Sequence, residues 1–303
     1  MRKSLILLMV MAAGCAGGTA ASDDTPATGV NEQPLVAVTT GLLGDIVIEV
    51  VGDVVDVEVV MPPGADPHEF ALSARQAETM ERADLLVTNG RGLEAAMVDV
   101  IDAVAANTDV FVAGDHVEVG SLDDPHIWMD PTNVVAIVEA LAADLAPLVE
   151  DREALSLSVN AYVAELALLD DEIGRTLQPI PDDRRLMVTN HDSFEMFADR
   201  YDLEIVGTII PSMATSAESS AAGLEQLADA VRDAGVPVVF AESTHSVRLA
   251  EALAREVGDI DGERVAVVEL YTGSLGEPGS GAETYLAMMR FDAERIAEAL
   301  GAR

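Results

Sequence analysis

Residues 131–177 read PTNVVAIVEALAADLAPLVEDREALSLSVNAYVAELALLDDEIGRTL. The stretch carries no strand signal and predicts helix almost throughout, broken only near Ala146-Pro147, because proline cannot continue a helix. Beyond the break, Leu155, Val159, Tyr162, Leu166, Leu169, Ile173 and Leu177 recur at spacings of three and four. That period lays one apolar core stripe along a helix of roughly 25 residues. On either side, short β-branched runs alternate with segments of helical period. The strand candidates are 35–39, 54–61, 84–88 and 110–113 before the helical stretch, and 186–189, 204–210, 236–241 and 264–270 after it. Two groups of four, alternating with helices, predict an α/β fold of two lobes, each a mainly parallel four-stranded sheet flanked by helices. The lobes are expected at 35–149 and 179–303, joined by a linking helix at 150–178. A helix in that place, rather than a Gly/Ser linker, holds the lobes in a nearly fixed relation and limits hinge motion.

The 303 residues include 54 Asp plus Glu against 17 Lys plus Arg, a formal net charge of −37. Cationic surface for neutralising phosphate is scarce, so nucleic acid and anionic membranes are not expected partners. Half the residues are hydrophobic, so the acidity clothes a folded core and does not mark a disordered acidic tail.

Cys15 is the one cysteine, which excludes an intramolecular disulfide and any Cys-rich metal knuckle. Arg2 and Lys3 precede the apolar run 5–13, which closes on Ala12-Ala13-Gly14-Cys15. A positive start, a short apolar segment and small residues make an export signal at 1–14, and the run falls well short of the ~20 residues a membrane span needs. Cys15 after Ala-Ala-Gly resembles a bacterial lipoprotein signal, in which the thiol is acylated; an ordinary secretory signal cleaved near Ala20 or Ala21 is the alternative. Residues 15–34 are small, polar and aperiodic, as suits a lipid-anchored flexible tether on the outer face of the cell membrane or in the periplasm.

Of five histidines, three fall in loops on the cleft side of the expected sheets. His68 follows the second strand, His126 the fourth, and His191 comes directly off the fifth. Ligands of open parallel sheets bind beyond the carboxyl ends of the strands, so two facing lobes predict a cleft that these residues line. Three neutral imidazoles converging there suit a borderline divalent ion such as zinc, and also manganese or iron. No Gly-x-Gly-x-x-Gly in strand–turn–helix context and no Walker motif offers a phosphate cradle instead.

The residues Gly64-Ala65-Asp66-Pro67-His68, Asp124-Pro125-His126-Ile127-Trp128-Met129-Asp130-Pro131, Asn190-His191-Asp192-Ser193-Phe194 with Tyr201 and Leu203, Phe240-Ala241-Glu242-Ser243, and Glu283-Thr284-Tyr285-Leu286-Ala287-Met288-Met289-Arg290 carry a resemblance. In this order they resemble the zinc- and manganese-binding solute-binding lipoproteins of ABC transporters, the ZnuA/TroA-like group, from about Leu35 to the C-terminus. The resemblance implies a metal held between two lobes and delivered to a membrane permease by a monomer. It implies His68, His126 and His191 as ligands, with zinc favoured over manganese. It also implies an Asp in the loop after the last strand, where this chain has Gly273. The fourth position then falls to Glu242, to His245 or to water, and Glu242 also suits the role of accepting an imidazole N–H to fix a ligand's tautomer. His116 sits in an acidic loop and reads as surface.

Three functions follow. The first is a metal-binding component of an ABC transporter and not an enzyme. The second is an exported zinc hydrolase, since three His and an open position also describe a catalytic site, although no His-Glu-x-x-His helix is present. The third is a surface adhesin lipoprotein that uses the exterior of the fold.

Overall fold

The computed structural model describes residues 33–118, 124–213, 215 and 220–301. The expected signal 1–14, Cys15 and nearly all of the tether lie outside these residues.

Strands β1 (Leu35–Val38), β2 (Asp56–Val59), β3 (Leu85–Thr88) and β4 (Asp109–Val112) form a parallel sheet in the order β2-β1-β3-β4. The central pair is continuous apolar sequence, with Val36, Ala37, Val38, Leu86 and Val87 all at 0% exposure, as strands covered on both faces must be. The edge strands place Asp56, Glu58 and Asp109 toward solvent, which blunts their free edges. Since β2 and β3 lie on opposite sides of β1, the chain reverses direction there, and the carboxyl ends of these strands open a crevice. Helix α1 (Gly41–Val51) starts directly off β1, where Thr40 caps it by accepting from the Leu43 amide at 3.2 Å. Helix α2 (Ala74–Arg82) opens with a capping box of Ser73 and Gln76, and α3 (Val98–Val104) precedes β4.

The expected break near Ala146-Pro147 separates α4 (Pro131–Leu145) from α5 (Arg152–Leu177). Asp130 caps α4 through the Thr132 amide at 2.8 Å and Pro131 takes its first position, where a missing N–H costs nothing. Helix α5 runs 26 residues, about 39 Å at 1.5 Å per residue. Its buried residues are the seven of the apolar stripe, Leu155 through Leu177, and it packs on α4, α1, α6 and α9. It therefore touches both halves along one face.

After α5 come β5 (Leu186–His191), α6 (Glu195–Tyr201), β6 (Glu204–Ile210), α7 (Ala221–Ala234), β7 (Val238–Glu242) and α8 (Arg248–Val257). A small antiparallel hairpin of β8 (Asp259–Ile260) and β9 (Glu263–Arg264), then β10 (Ala266–Leu270) and α9 (Tyr285–Ala299), complete the chain. The four expected strands of this half are present, with parallel hydrogen-bonded ladders in two pairs, β5–β6 and β7–β10, while β5 and β7 lie alongside one another. The hairpin takes Arg264 out of the last expected strand. Its turn, Asp261-Gly262, has positive φ at both residues (53° and 85°), the geometry for which Asp-Gly is the favoured pair.

One hydrophobic cluster runs from Val36 on β1 through the α5 stripe to Ile296 on α9, and a smaller one, including Ala37, Met80 and Leu86, lies on the other face of the first sheet. The halves thus share a core. Asp292 on α9 sits inside it at 0% exposure: one carboxyl oxygen accepts the Tyr271 amide at 3.0 Å and the other has no partner among the described residues. Burial pushes its pKa well above the ordinary 3.8, so the folded chain favours the neutral acid while the unfolded chain ionises more readily. A raised folded pKa means that stability falls as pH climbs past 3.8. Asp292→Asn keeps the acceptor for Tyr271 and removes this penalty. Its melting temperature should exceed the parent's by a few degrees at pH 7.5, with the two converging near pH 4; a less stable variant at pH 7.5 would contradict this.

Candidate metal centre

Two of the three histidines arrive in the same tripeptide, Asp-Pro-His. In the loop after β2, Asp66 accepts the His68 amide at 3.0 Å, and after β4 Asp124 accepts the His126 amide at 2.9 Å. The proline restricts the backbone between them, and the aspartate side chain closes the turn, a local bond that needs no neighbouring strand. Asn89, just past β3, donates to the Pro125 carbonyl at 2.8 Å and so braces the second turn. Glu94 fixes that corner in turn by accepting from the Asn89 and Gly90 amides and the Thr39 hydroxyl. His191 needs no turn, since it is the last residue of β5.

The three rings meet. The Nε2 atoms of His68 and His126 are 3.2 Å apart, as are those of His126 and His191, and one donor atom from each residue lies within 4.8 Å of the others. The edge of a tetrahedron of nitrogens around zinc, at bonds of 2.0–2.1 Å, is about 3.3 Å. Exposure is 9% for His68, 1% for His126 and 2% for His191. Burial, then the neighbouring rings of His126 and His191, depress the His68 pKa from 6.5 to about 4.

Carboxylates behind the rings set their tautomers. Asp124 takes the Nδ1 of His126 at 2.8 Å, and Glu242, at the end of β7, takes the Nδ1 of His191. With both Nδ1 protons directed backward, the lone pairs on Nε2 face the common centre, an arrangement that a cation stabilises. The other oxygen of Glu242 accepts from the Thr272 hydroxyl at 2.5 Å. Burial opposes ionisation of Glu242, but the hydrogen bonds from His191 and Thr272 and the nearby His191 and His245 rings together prevail and lower its pKa. Glu242, expected as a ligand or as the partner of one, thus has both oxygens engaged and stands outside the group of converging donors.

His245, the other expected candidate, turns its Nε2 to Asp66 at 3.1 Å and its Nδ1 to the Thr244 hydroxyl at 3.0 Å. Burial resists the charge on Asp66, but bonds from His245, Thr215 and the His68 amide prevail and hold its pKa near 2. Gly273 reaches the same pocket with no side chain, and a Cβ there would lie 3.0 Å from the Pro67 ring. Its backbone instead closes against the first half. Ser274 accepts the Gly64 amide at 2.9 Å, and the Thr272 carbonyl accepts the Trp128 indole N–H at 2.9 Å. Tyr285 adds two more ties, donating from its hydroxyl to the Trp128 carbonyl and from its amide to Asp45 on α1, both at 2.7 Å. His116 is exposed and stacked on Phe111, as expected of a surface residue. The roles of Asp124 and Thr272 escaped the sequence reading. The repeated Asp-Pro-His was the available signal for Asp124; nothing in the sequence marks Thr272.

The chain is similar to proteins already described. The family described as "Zinc-uptake complex component A periplasmic" matches residues 36–299. The zinc-binding protein TroA of Treponema pallidum is 29% identical over 309 residues, covering 99% of each chain. The manganese-binding lipoprotein MntA of Halalkalibacterium halodurans is 26% identical over 303 residues, 98% of this chain and 96% of that one. The solved structure of the periplasmic zinc binding protein TroA from Treponema pallidum superposes with a TM-score of 0.83 at 30% identity, over 90% of this chain and all of the other. A family match over residues 36–299, with a shared fold, leads to one conclusion: the chain belongs to the ZnuA family, described as "Zinc-uptake complex component A periplasmic".

Proposed function

We propose that this protein is the extracytoplasmic substrate-binding component of a metal-ion ABC transporter, capturing one divalent transition metal between its halves and delivering it to a membrane permease. The convergence of three buried Nε2 atoms, at spacings that match the edge of a metal tetrahedron, carries the reading. The names of the relatives support it, one being called zinc-binding and another manganese-binding. Zinc is the favoured cargo. The converging donors are all nitrogen, and manganese prefers carboxylate and water oxygens. His68, His126 and His191 are the proposed ligands, with water completing four-coordination and with Glu242 and Asp124 orienting the rings from behind.

The lobes we propose are 35–149 and 179–303 around the linking segment 150–178, acting as a monomer. Acylation of Cys15 after removal of 1–14 would anchor the chain outside the cell, in keeping with relatives named as lipoproteins. Among the described residues no helix is long and apolar enough to cross a membrane. The zinc-hydrolase reading has no counterpart among the relatives compared.

Protein purified without an affinity tag or chelator should carry one zinc per chain by elemental analysis, and zinc should outcompete manganese in titrations of the stripped protein. His68→Ala, His126→Ala and His191→Ala should each lose affinity by at least about 100-fold, ~2.7 kcal/mol. Asp124→Ala and Glu242→Ala, which leave the donors in place, should lose about 10–100-fold. Unaltered affinity in all three histidine variants would discard the site.

The same site makes a prediction for the metal-free protein. Because the folded pKa of His68 lies near 4 against 6.5 for a free ring, its burial contributes stability above pH 6.5 that is lost as pH falls toward 4, about 3 kcal/mol in all. Nitrogen-15 NMR should find this ring neutral at pH 5.5. A ring already charged there would contradict the burial that forms the site.

A further inference from the structure

We propose that His245 is a positioning residue for metal retention: by bonding Asp66 across the two halves it acts as the latch over the metal site, slowing release without touching the ion. This rests on the metal-binding reading above and adds to it a residue that governs residence time.

Three observations carry it. First, the bond joins distant parts of the chain. Asp66 lies in the loop after β2, and its Oδ2 accepts from His245 Nε2 at 3.1 Å, 179 positions later in the sequence, and from the Thr215 hydroxyl at 2.6 Å, 149 positions later. The halves cannot part at this point while those bonds stand. Second, the pair sits on the solvent side. Asp66 and His245 line the same small pocket as the three converging rings, yet their side chains are 13% and 20% exposed, whereas His126 and His191 are 1% and 2% exposed. Third, the latch is coupled to a proposed ligand. The other oxygen of Asp66 holds the His68 amide at 3.0 Å, so one carboxylate both shapes the His68 turn and ties that turn to the second half. His245 is held for the task by its own backbone bond to the Glu242 carbonyl at 3.1 Å and by the Thr244 hydroxyl on its Nδ1. Glu242 in turn orients His191. Closing the latch therefore fixes a ring on each side of the ion.

A hydrogen bond to a charged group, in a partly dry pocket, is strong enough to matter kinetically. The experiment is zinc release from the full chain into excess chelator at constant pH, followed by stopped flow, with cobalt substitution to report coordination by its visible spectrum. His245→Ala should release zinc about tenfold faster, ~1.4 kcal/mol, with one ion still bound per chain and an unchanged cobalt spectrum. His245→Gln, whose amide N–H can still donate to Asp66, should recover part of the slow rate. Thr215→Val, which removes the second tie and leaves His245 untouched, should shift the rate in the same direction. Release from His245→Ala at the wild-type rate would overturn the latch alone. A cobalt spectrum that changes would overturn it too, by making His245 a ligand. A wild-type chain that takes up no metal overturns the proposed function, and the latch with it.

Discussion

The two bonds that send the Nδ1 protons of His126 and His191 backward, onto Asp124 and Glu242, are the constraint on which the site depends. Without them each ring could turn or change tautomer, and a proton would occupy the space that the Nε2 lone pairs now share. With them, two nearly fully buried rings present acceptors to one point, and His68 completes the group from a turn closed by its own neighbour Asp66. Burial then works with the geometry, since it disfavours the charged imidazolium of His68 that would compete with a cation.

Such a centre must be held across two halves of the chain without sealing it. The shared core and the single stripe of α5 supply the common frame. The loop after β10 closes it locally: Thr272 bonds both Glu242 and Trp128, Ser274 meets the Gly64 amide, and the bare Cα of Gly273 lets the backbone come up against Pro67. Trp128 stands two residues after His126, and Glu242 holds His191, so this loop links the surroundings of one ring in each half. The lack of a donor at Gly273 and the close approach of the loop both follow from a residue with no side chain.

Much of this was legible in the sequence, and particular residues show why. The 131–177 stretch was legible as helix, because helical period over dozens of residues has few competing explanations. The break at Pro147 and the stripe from Leu155 to Leu177 stand as expected. His68, His126 and His191 could be placed at strand ends, since parallel strands send their following loops to one side. What could not be read was anything decided by approach between distant segments. Glu242 was open between two roles until its oxygens were seen on His191 and Thr272. His245 was open until its ring was seen on Asp66. The pairing of the second group of strands and the hairpin at Asp261-Gly262 depended on local geometry that strand propensity does not carry.

The most direct measurement of the central claim is X-ray absorption at the zinc edge of the loaded protein, compared with its His68→Ala form. Three imidazole nitrogens at 2.0–2.1 Å and one light-atom ligand are expected for the parent, with one imidazole lost in the variant. A parent spectrum with sulfur, with fewer than three imidazoles, or identical to that of the variant would contradict the account.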